Sequence, residues 1–374
     1  MKRYVYADNA ATTRLDPEAF EAMRPYLLDE FANASQPYSF SRTAKDALKD
    51  ARNTIAQCIN ARPDEIFFTS GGTESDNWAI KGSVGAGQAL VASSIEHHAV
   101  LNSCRAMERL GHPLFYVPPD RNALVSPAKL NAVMTEQVGL VSVMFANNEV
   151  GAIEPVGALG RVAHEYGALF HTDAVQALGH VKVDVKALDV DLLSASAHKF
   201  HGPKGIGFLY VKSGTPMRAY LDGGRQERGL RAGTENIASV VGMATALKNS
   251  CKTMQATADL LTTLENALLE GLYAAKLDFL RNAAEVDRLP GVISLSFPDA
   301  DGEVILHRMD LLGVCVSTGA ACDSEYVTVS HVLQAIGVPE EYARGTIRVS
   351  LGGNNTIRDV ETIVSALRKI LCRA

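Results

Sequence analysis

No stretch of this 374-residue sequence concentrates lysine or arginine, and 36 basic residues are outnumbered by 42 acidic ones. The formal charge of −6 leaves no electrostatic footprint for a nucleic-acid backbone, so no direct nucleic-acid binding is expected. No apolar run reaches the roughly 20 residues that a membrane helix requires. The opening residues, Met1-Lys2-Arg3-Tyr4-Val5-Tyr6-Ala7-Asp8, meet an acid before any apolar segment forms. A signal peptide is therefore not expected, and the protein reads as soluble and cytoplasmic. The six cysteines (Cys58, Cys104, Cys251, Cys315, Cys322, Cys372) form no Cys-x-x-Cys pair, and there is no His-Glu-x-x-His. Neither a metal site nor a disulfide framework is expected. Internal repeats, low-complexity tracts and flexible linkers are also missing.

What is present is long enough for a large core and for two units packed as one body. An extended arm runs to about residue 14. Asp16-Pro17-Glu18 then opens a helix with a cap, a first-turn proline and an early acid. From Ser41 to Cys58, apolar residues recur at spacings of three and four, which predicts a helix. Short apolar segments follow at 65–69, 89–93, 114–117, 139–146, 168–172, 191–195 and 206–211. Amphipathic stretches separate most of them, for example at 74–84, 98–110, 127–134 and 156–166. Strands alternating with helices predict an α/β fold: a mostly parallel sheet with helices on both faces and binding residues at the strands' carboxyl ends. The pattern changes after about Ala246. A long helix carrying Leu260, Leu261, Leu264, Leu268 and Leu272 leads into strands at 291–297, 314–317 and 346–351 with helices between and after them. This is a smaller α+β unit.

Lys199 is the most informative residue. It lies in Ser196-Ala197-His198-Lys199-Phe200-His201-Gly202-Pro203, between small or hydroxylated residues and a Gly-Pro turn. Such a setting is poor for a solvated surface charge and good for an amine that holds an aldehyde cofactor as a Schiff base. That chemistry needs a carboxylate to pair with a pyridinium nitrogen, and Asp173 stands at the end of the preceding strand. An acid there is also a common helix cap; the lysine at the next strand end favours the pair. Gln176 is placed to donate to a phenolic oxygen.

Other candidates carry their own alternatives. Gly71-Gly72-Thr73-Glu74 joins a strand to a helix and could cradle a phosphate, or be a plain tight turn. His97 could stack on an aromatic ring, or be a structural histidine; at most one of His97 and His98 fits, because neighbours on a strand point opposite ways. Asn147-Asn148-Glu149 falls at another strand end. Cys322, within Ser317-Thr318-Gly319-Ala320-Ala321-Cys322-Asp323-Ser324-Glu325, has the flanks of an exposed loop, whereas Cys315 reads as packed in a strand. Arg348 in Thr346-Ile347-Arg348-Val349-Ser350 is costly to bury without a planar anion: a substrate carboxylate or an interdomain salt bridge.

Assembled, these residues resemble the cysteine desulfurases of the class V aminotransferase group, long-loop subgroup, within the fold-type I pyridoxal-phosphate enzymes. The resemblance runs nearly end to end. It is carried by Tyr6-Ala7-Asp8-Asn9-Ala10-Ala11-Thr12-Thr13, Thr69-Ser70-Gly71-Gly72-Thr73-Glu74-Ser75-Asp76-Asn77, Asn147-Asn148-Glu149-Val150-Gly151, His171-Thr172-Asp173-Ala174-Val175-Gln176, Ser196-Ala197-His198-Lys199, Arg231-Ala232-Gly233-Thr234-Glu235-Asn236 and Ser317-Thr318-Gly319-Ala320-Ala321-Cys322.

The resemblance implies a large cofactor-binding domain over residues 15–250, and a small domain of 1–14 with 251–374 that carries the cysteine loop. It implies that pyridoxal 5'-phosphate is bound covalently by Lys199, stacked by His97, and held at its ring nitrogen by Asp173 and its phenolic oxygen by Gln176. Gly72, Thr73, Ser196 and His198 would bind the phosphate, joined by Thr234 from the second subunit of a homodimer. Asn148, which also borders the cofactor, and Arg348 would hold the carboxylate of L-cysteine. Cys322 would take the sulfur as a persulfide, leaving L-alanine, and pass it to an acceptor protein of iron–sulfur cluster, thio-cofactor or tRNA biosynthesis. Three departures stand out: Tyr38 replaces a family histidine, Ser41 a family glycine, and the sequence stops at Ala374 without the family's C-terminal extension. A selenocysteine lyase, a transaminase or β-lyase of the same fold, and a non-catalytic scaffold are the rival readings.

Overall fold

The computed structural model describes residues 4–318 and 329–372. After a short β1 (Val5–Tyr6), a seven-stranded sheet organises the larger part of the chain. Its strands are β2 (Ile66–Thr69), β3 (Ala89–Ser93), β4 (Leu114–Val117), β5 (Val138–Ser142), β6 (Leu169–Asp173), β7 (Leu192–Ser196) and β8 (Gly207–Val211), in the order β2-β8-β7-β6-β5-β3-β4. All run parallel except β8, which is antiparallel to both β2 and β7. Helices α1 (Pro17–Leu28), α2 (Arg42–Cys58), α3 (Gly72–Ser83), α4 (His98–Arg109), α5 (Pro127–Asn131), α6 (Val156–Glu165) and α7 (Val185–Leu188) surround it.

The inner strands are buried on both faces, as parallel strands within a sheet must be, whereas the edge strand β4 leaves Phe115 and Tyr116 exposed. Their residues alternate between two cores. Phe67, Leu90, Ala92, Leu192 and Leu209 pack with α3 and α4 around Trp78. Phe68, Val91, Leu193 and Phe208 pack on the other face around Phe170. Each fully buried Phe or Leu contributes about 1.5–3 kcal/mol, so the two faces together hold the sheet rigid beneath its loops.

The smaller unit contains β9 (Leu280–Arg281), β10 (Val292–Ser296) and β12 (Thr346–Ser350), antiparallel in the order β12-β10-β9. The two-residue β11 (Val314–Cys315) pairs with β1 in parallel. Helix α8 (Ile237–Ala274) joins the units, followed by α9 (Gly302–Leu311), α10 (His331–Ala335), α11 (Glu340–Ala343) and α12 (Ile357–Leu371). The first third of α8 places Val240, Met243 and Leu247 in the Phe170 core, while Leu261, Leu264, Leu268 and Leu272 enter the small-unit core with Val5 and Ala7.

The sequence pattern locates that long helix only after about Ala246. The helix instead begins at Ile237, where the Asn236 side chain accepts from the Ser239 N–H. Residues 237–247 are nearly all apolar or small, and without a polar face the helical period is invisible. The segment read as a strand over 139–146 also differs. Its ladder ends at Ser142, yet Val143 and Phe145 still donate to the carbonyls of His171 and Asp173 at 3.1 and 2.8 Å. The chain stays extended along β6 and carries Asn147 and Asn148 to the same sheet end as Asp173.

Candidate active site

A cavity of about 340 Å3 opens above the carboxyl ends of β2, β5, β6 and β7. This lies within the roughly 300–1,000 Å3 range of small-molecule sites, and where an open α/β sheet places its ligand. Its walls include Gly72, Thr73, His97, Asn148, Asp173, Gln176, Ser196, His198, Lys199 and Arg348. The structure therefore brings together all the sequence-derived candidates except two. Thr234 is exposed and outside the cavity wall of this single chain. Cys322 lies outside the described residues, although Ser317 and Thr318, which precede it, line the cavity.

Lys199 sits in a short turn just after β7, and its Nζ donates to the carbonyls of Ala10 and Ala11 at 2.6 and 2.9 Å. Gln176 Nε2 donates to the same Ala10 oxygen at 2.9 Å. Asp173 ends β6 with 5% exposure, and its Oδ1 accepts the Val175 N–H at 2.9 Å. Burial raises its pKa above the usual carboxylate range, while His97, the Val175 N–H and Lys199 pull in the opposite direction. A cation brought beside Asp173 would therefore be strongly favoured.

His97 is not on a strand. β3 ends at Ser93, and His97 caps α4, its Nδ1 accepting the Ala99 N–H at 3.1 Å. That bond puts the proton of the neutral ring on Nε2. Burial depresses its pKa despite the nearby Asp173. His98 diverges toward His331, with ring centres 5.0 Å apart. The two histidines thus separate because one is the cap and the other opens the helix.

At the other end of the cavity, α3 starts without a side-chain cap, so its first turn presents backbone N–H groups. Gly71 has φ 150°, reached without strain only by glycine. A Cβ on Gly72 would lie 2.6 Å from Val175 Cγ2. Gly72→Ala should therefore push Val175 or the helix start aside and weaken cofactor affinity about tenfold, a loss near 1.4 kcal/mol. Titrating the apoprotein with pyridoxal 5'-phosphate and following absorbance checks this.

Sequence reasoning missed Asp76. It is 1% exposed, reaches the cavity wall, and its Oδ1 has no hydrogen-bond partner. The signal was present: Asp76 shares a helix face with Ala79, Ile80 and Ser83, all buried. Burial and the neighbouring Asp173 push its pKa well up. His171 lies behind it, with Nδ1 2.8 Å from Ser142 Oγ and Nε2 2.9 Å from Ser194 Oγ. Burial drives the His171 pKa down to about 3. Its 3.7 Å approach to Asp76 is thus not an ion pair at neutral pH, because the imidazole carries no charge there. Folding keeps His171 neutral where the unfolded chain would take up a proton. That contribution is complete above pH 6.5, the ordinary value, and is lost as the pH falls towards about 3. His171→Gln should remove this slope of up to about 1.4 kcal/mol per pH unit. The melting-temperature gap to wild type should narrow between pH 7 and 4, whereas a constant gap contradicts the assignment.

The sequence departures also have places in the structure. Ser41 is buried and its Oγ donates to the Gln36 and Tyr38 carbonyls at 2.7 and 2.8 Å, closing the turn. Tyr38 is exposed and does not line the cavity.

The residues fit pyridoxal 5'-phosphate: an uncapped helix start for the phosphate, an amine for the aldehyde, and a buried carboxylate for the ring nitrogen. Fold and site thus define a fold-type I pyridoxal-phosphate enzyme, and the aminotransferase class-V family model matches residues 5–363. The cysteine desulfurase IscS of Dictyoglomus turgidum is 46% identical over 99% of this chain and 95% of its own length. That of Methanosarcina thermophila is 43% identical over 98% and 92%. Among solved structures, a NifS-like protein superposes with TM-score 0.92 at 35% identity, covering 98% of this chain and 99% of that one. SspA in complex with cysteine gives 0.82 at 33% identity, covering 94% and 99%. The chain belongs to the cysteine desulfurase family of class V aminotransferases.

Proposed function

We propose that this protein is a cysteine desulfurase that removes sulfur from L-cysteine, releases L-alanine and loads the sulfur on Cys322. The observation that carries the reading is the convergence of Lys199, Asp173, His97 and Arg348 on one cavity. Pyridoxal 5'-phosphate, when bound, supplies the sink for the electron pair released at the substrate Cα.

Lys199 would hold the aldehyde, Asp173 the ring nitrogen, Gln176 the phenolic oxygen, and His97 would lie on the ring face. The backbone of Gly72 and Thr73, with Ser196 and His198, would hold the phosphate. Thr234, exposed on this chain, would reach the same phosphate in the second subunit of a homodimer. Arg348 and Asn148 would fix the substrate carboxylate, which orients the Cα–H towards Lys199 Nζ. Lys199 Nζ, released on substrate binding, would take the Cα proton, while His97, whose neutral ring carries its proton on Nε2, could deliver a proton but not accept one. The Cys322 thiolate would then form a bond to the substrate sulfur as the Cβ–S bond breaks and its electron pair stays on Cβ; one proton added to Cβ and one returned to Cα complete alanine.

The sulfur would pass from Cys322 to an acceptor protein of iron–sulfur cluster or thio-cofactor biosynthesis. A cytoplasmic location accords with the lack, among the described residues, of any helix long and apolar enough to cross a membrane. We also take residues 15–250 as one domain and 1–14 with 251–374 as the other; the separate cores of the Phe170 and Leu264 clusters support this division. Mass spectrometry after incubation with L-cysteine tests the reaction. The Cys322 peptide should gain one sulfur atom, removable by reductant. Alanine release with no added sulfur on that peptide would reject it in favour of a β-lyase.

A further inference from the structure

Arg348 is 7% exposed in β12, and two acceptors hold its guanidinium. Nη1 donates to the Asn148 carbonyl at 2.9 Å and Nη2 to Asp8 Oδ1 at 2.8 Å. Nε is buried without a partner. Of the five guanidinium N–H groups two are engaged; besides Nε–H, one remains on each terminal nitrogen, a fork with donors enough to meet a carboxylate through two bonds. The cation is already neutralised by Asp8 across that fork.

Asp8 has little freedom to leave. It bridges to Ser350, next but one to Arg348 on β12, and the Asn9 side chain donates to the Ser350 carbonyl at 2.9 Å. Tyr6 Oη donates to the Asp8 and Thr12 carbonyls at 3.1 and 2.8 Å, closing the segment into a strap. The next residues of the strap, Ala10 and Ala11, present the carbonyls that hold Lys199 Nζ. One short segment therefore touches both the proposed substrate anchor and the proposed cofactor lysine.

We propose that Asp8 is a positioning carboxylate that competes internally for Arg348 and so sets how tightly substrate and product carboxylates are held. This rests on the reading that Arg348 grips the substrate carboxylate. In the resting enzyme Asp8 supplies the counter-charge without which a buried guanidinium would be costly. When an amino acid binds, two carboxylates face one cation in a half-dry cavity, and their repulsion offsets part of the grip. The guanidinium stays oriented while affinity is held down. L-Alanine carries the same carboxylate as L-cysteine, so its release is eased by the same repulsion.

Asp8→Asn in the holoenzyme keeps an acceptor for Nη2 and removes the charge. The KM for L-cysteine and the inhibition constant for L-alanine should each fall about tenfold, the scale of one charge-assisted hydrogen bond. Cysteamine has the same amine and thiol but no carboxylate, and its binding should be unchanged, which also reports an intact site. Asp8→Ser should act in the same direction if the asparagine variant fails to fold. Unchanged or weaker L-cysteine binding, or an equal change for cysteamine, overturns the proposal. Arg348→Gln separates the two levels. A KM for L-cysteine unaltered by that change defeats the Arg348 reading itself; a raised KM together with an inert Asp8→Asn defeats only the role of Asp8.

Discussion

Lys199→Ala should lower L-cysteine turnover by about four orders of magnitude, the upper range for loss of a positioned general base, and should also loosen the cofactor. The structure explains why nothing nearby substitutes. Lys199 Nζ is held by two backbone carbonyls at the cavity wall. His97, the other proton carrier there, spends Nδ1 on the Ala99 N–H, and burial keeps its basicity low. A small amine supplied in solution, such as methylamine, should restore part of the activity by entering the space of the missing side chain. Alanine release with and without methylamine, alongside gel filtration of the coloured protein, checks both halves. Turnover within tenfold of wild type would remove Lys199 from the chemistry.

Asp173→Asn should cost about two to three orders of magnitude in kcat/KM, as expected when a preorganised charge facing a developing charge is removed. Burial makes the Asp173 carboxylate expensive on its own, so its charge is best satisfied by a cation placed against it. Asparagine keeps the shape and loses that charge. The visible absorption band should then shift, while L-cysteine affinity, which Arg348 is proposed to set, changes little. A variant with normal kcat would mean that the ring nitrogen meets a different partner.

Much of this architecture is written in local patterns. The strands at 89–93 and 114–117 were legible to the residue because apolar runs bounded by polar turns leave little choice. The reversal of β8 was not: its sequence is as apolar as its parallel neighbours, and direction is decided by the chain's path. Asp173 and Lys199 could be paired from sequence because they end consecutive elements that become adjacent strands. Asp76 escaped because an acid inside a helix ordinarily faces water. Arg348 had two readings, an interdomain salt bridge or a substrate anchor; its ion pair is instead with Asp8, inside the same small unit on the proposed division, and the side chain still lines the cavity. That pairing spans almost the whole chain, a contact no local pattern announces.

The central claim is a covalent bond between the Lys199 amine and the aldehyde of vitamin B6 phosphate, formed where Asp173 waits for the ring. Borohydride reduction of the yellow protein, followed by peptide mapping, addresses it directly. The account predicts bleaching and a phosphopyridoxyl group on the peptide containing Lys199. An unmodified Lys199 peptide, or the label on another lysine, would contradict it.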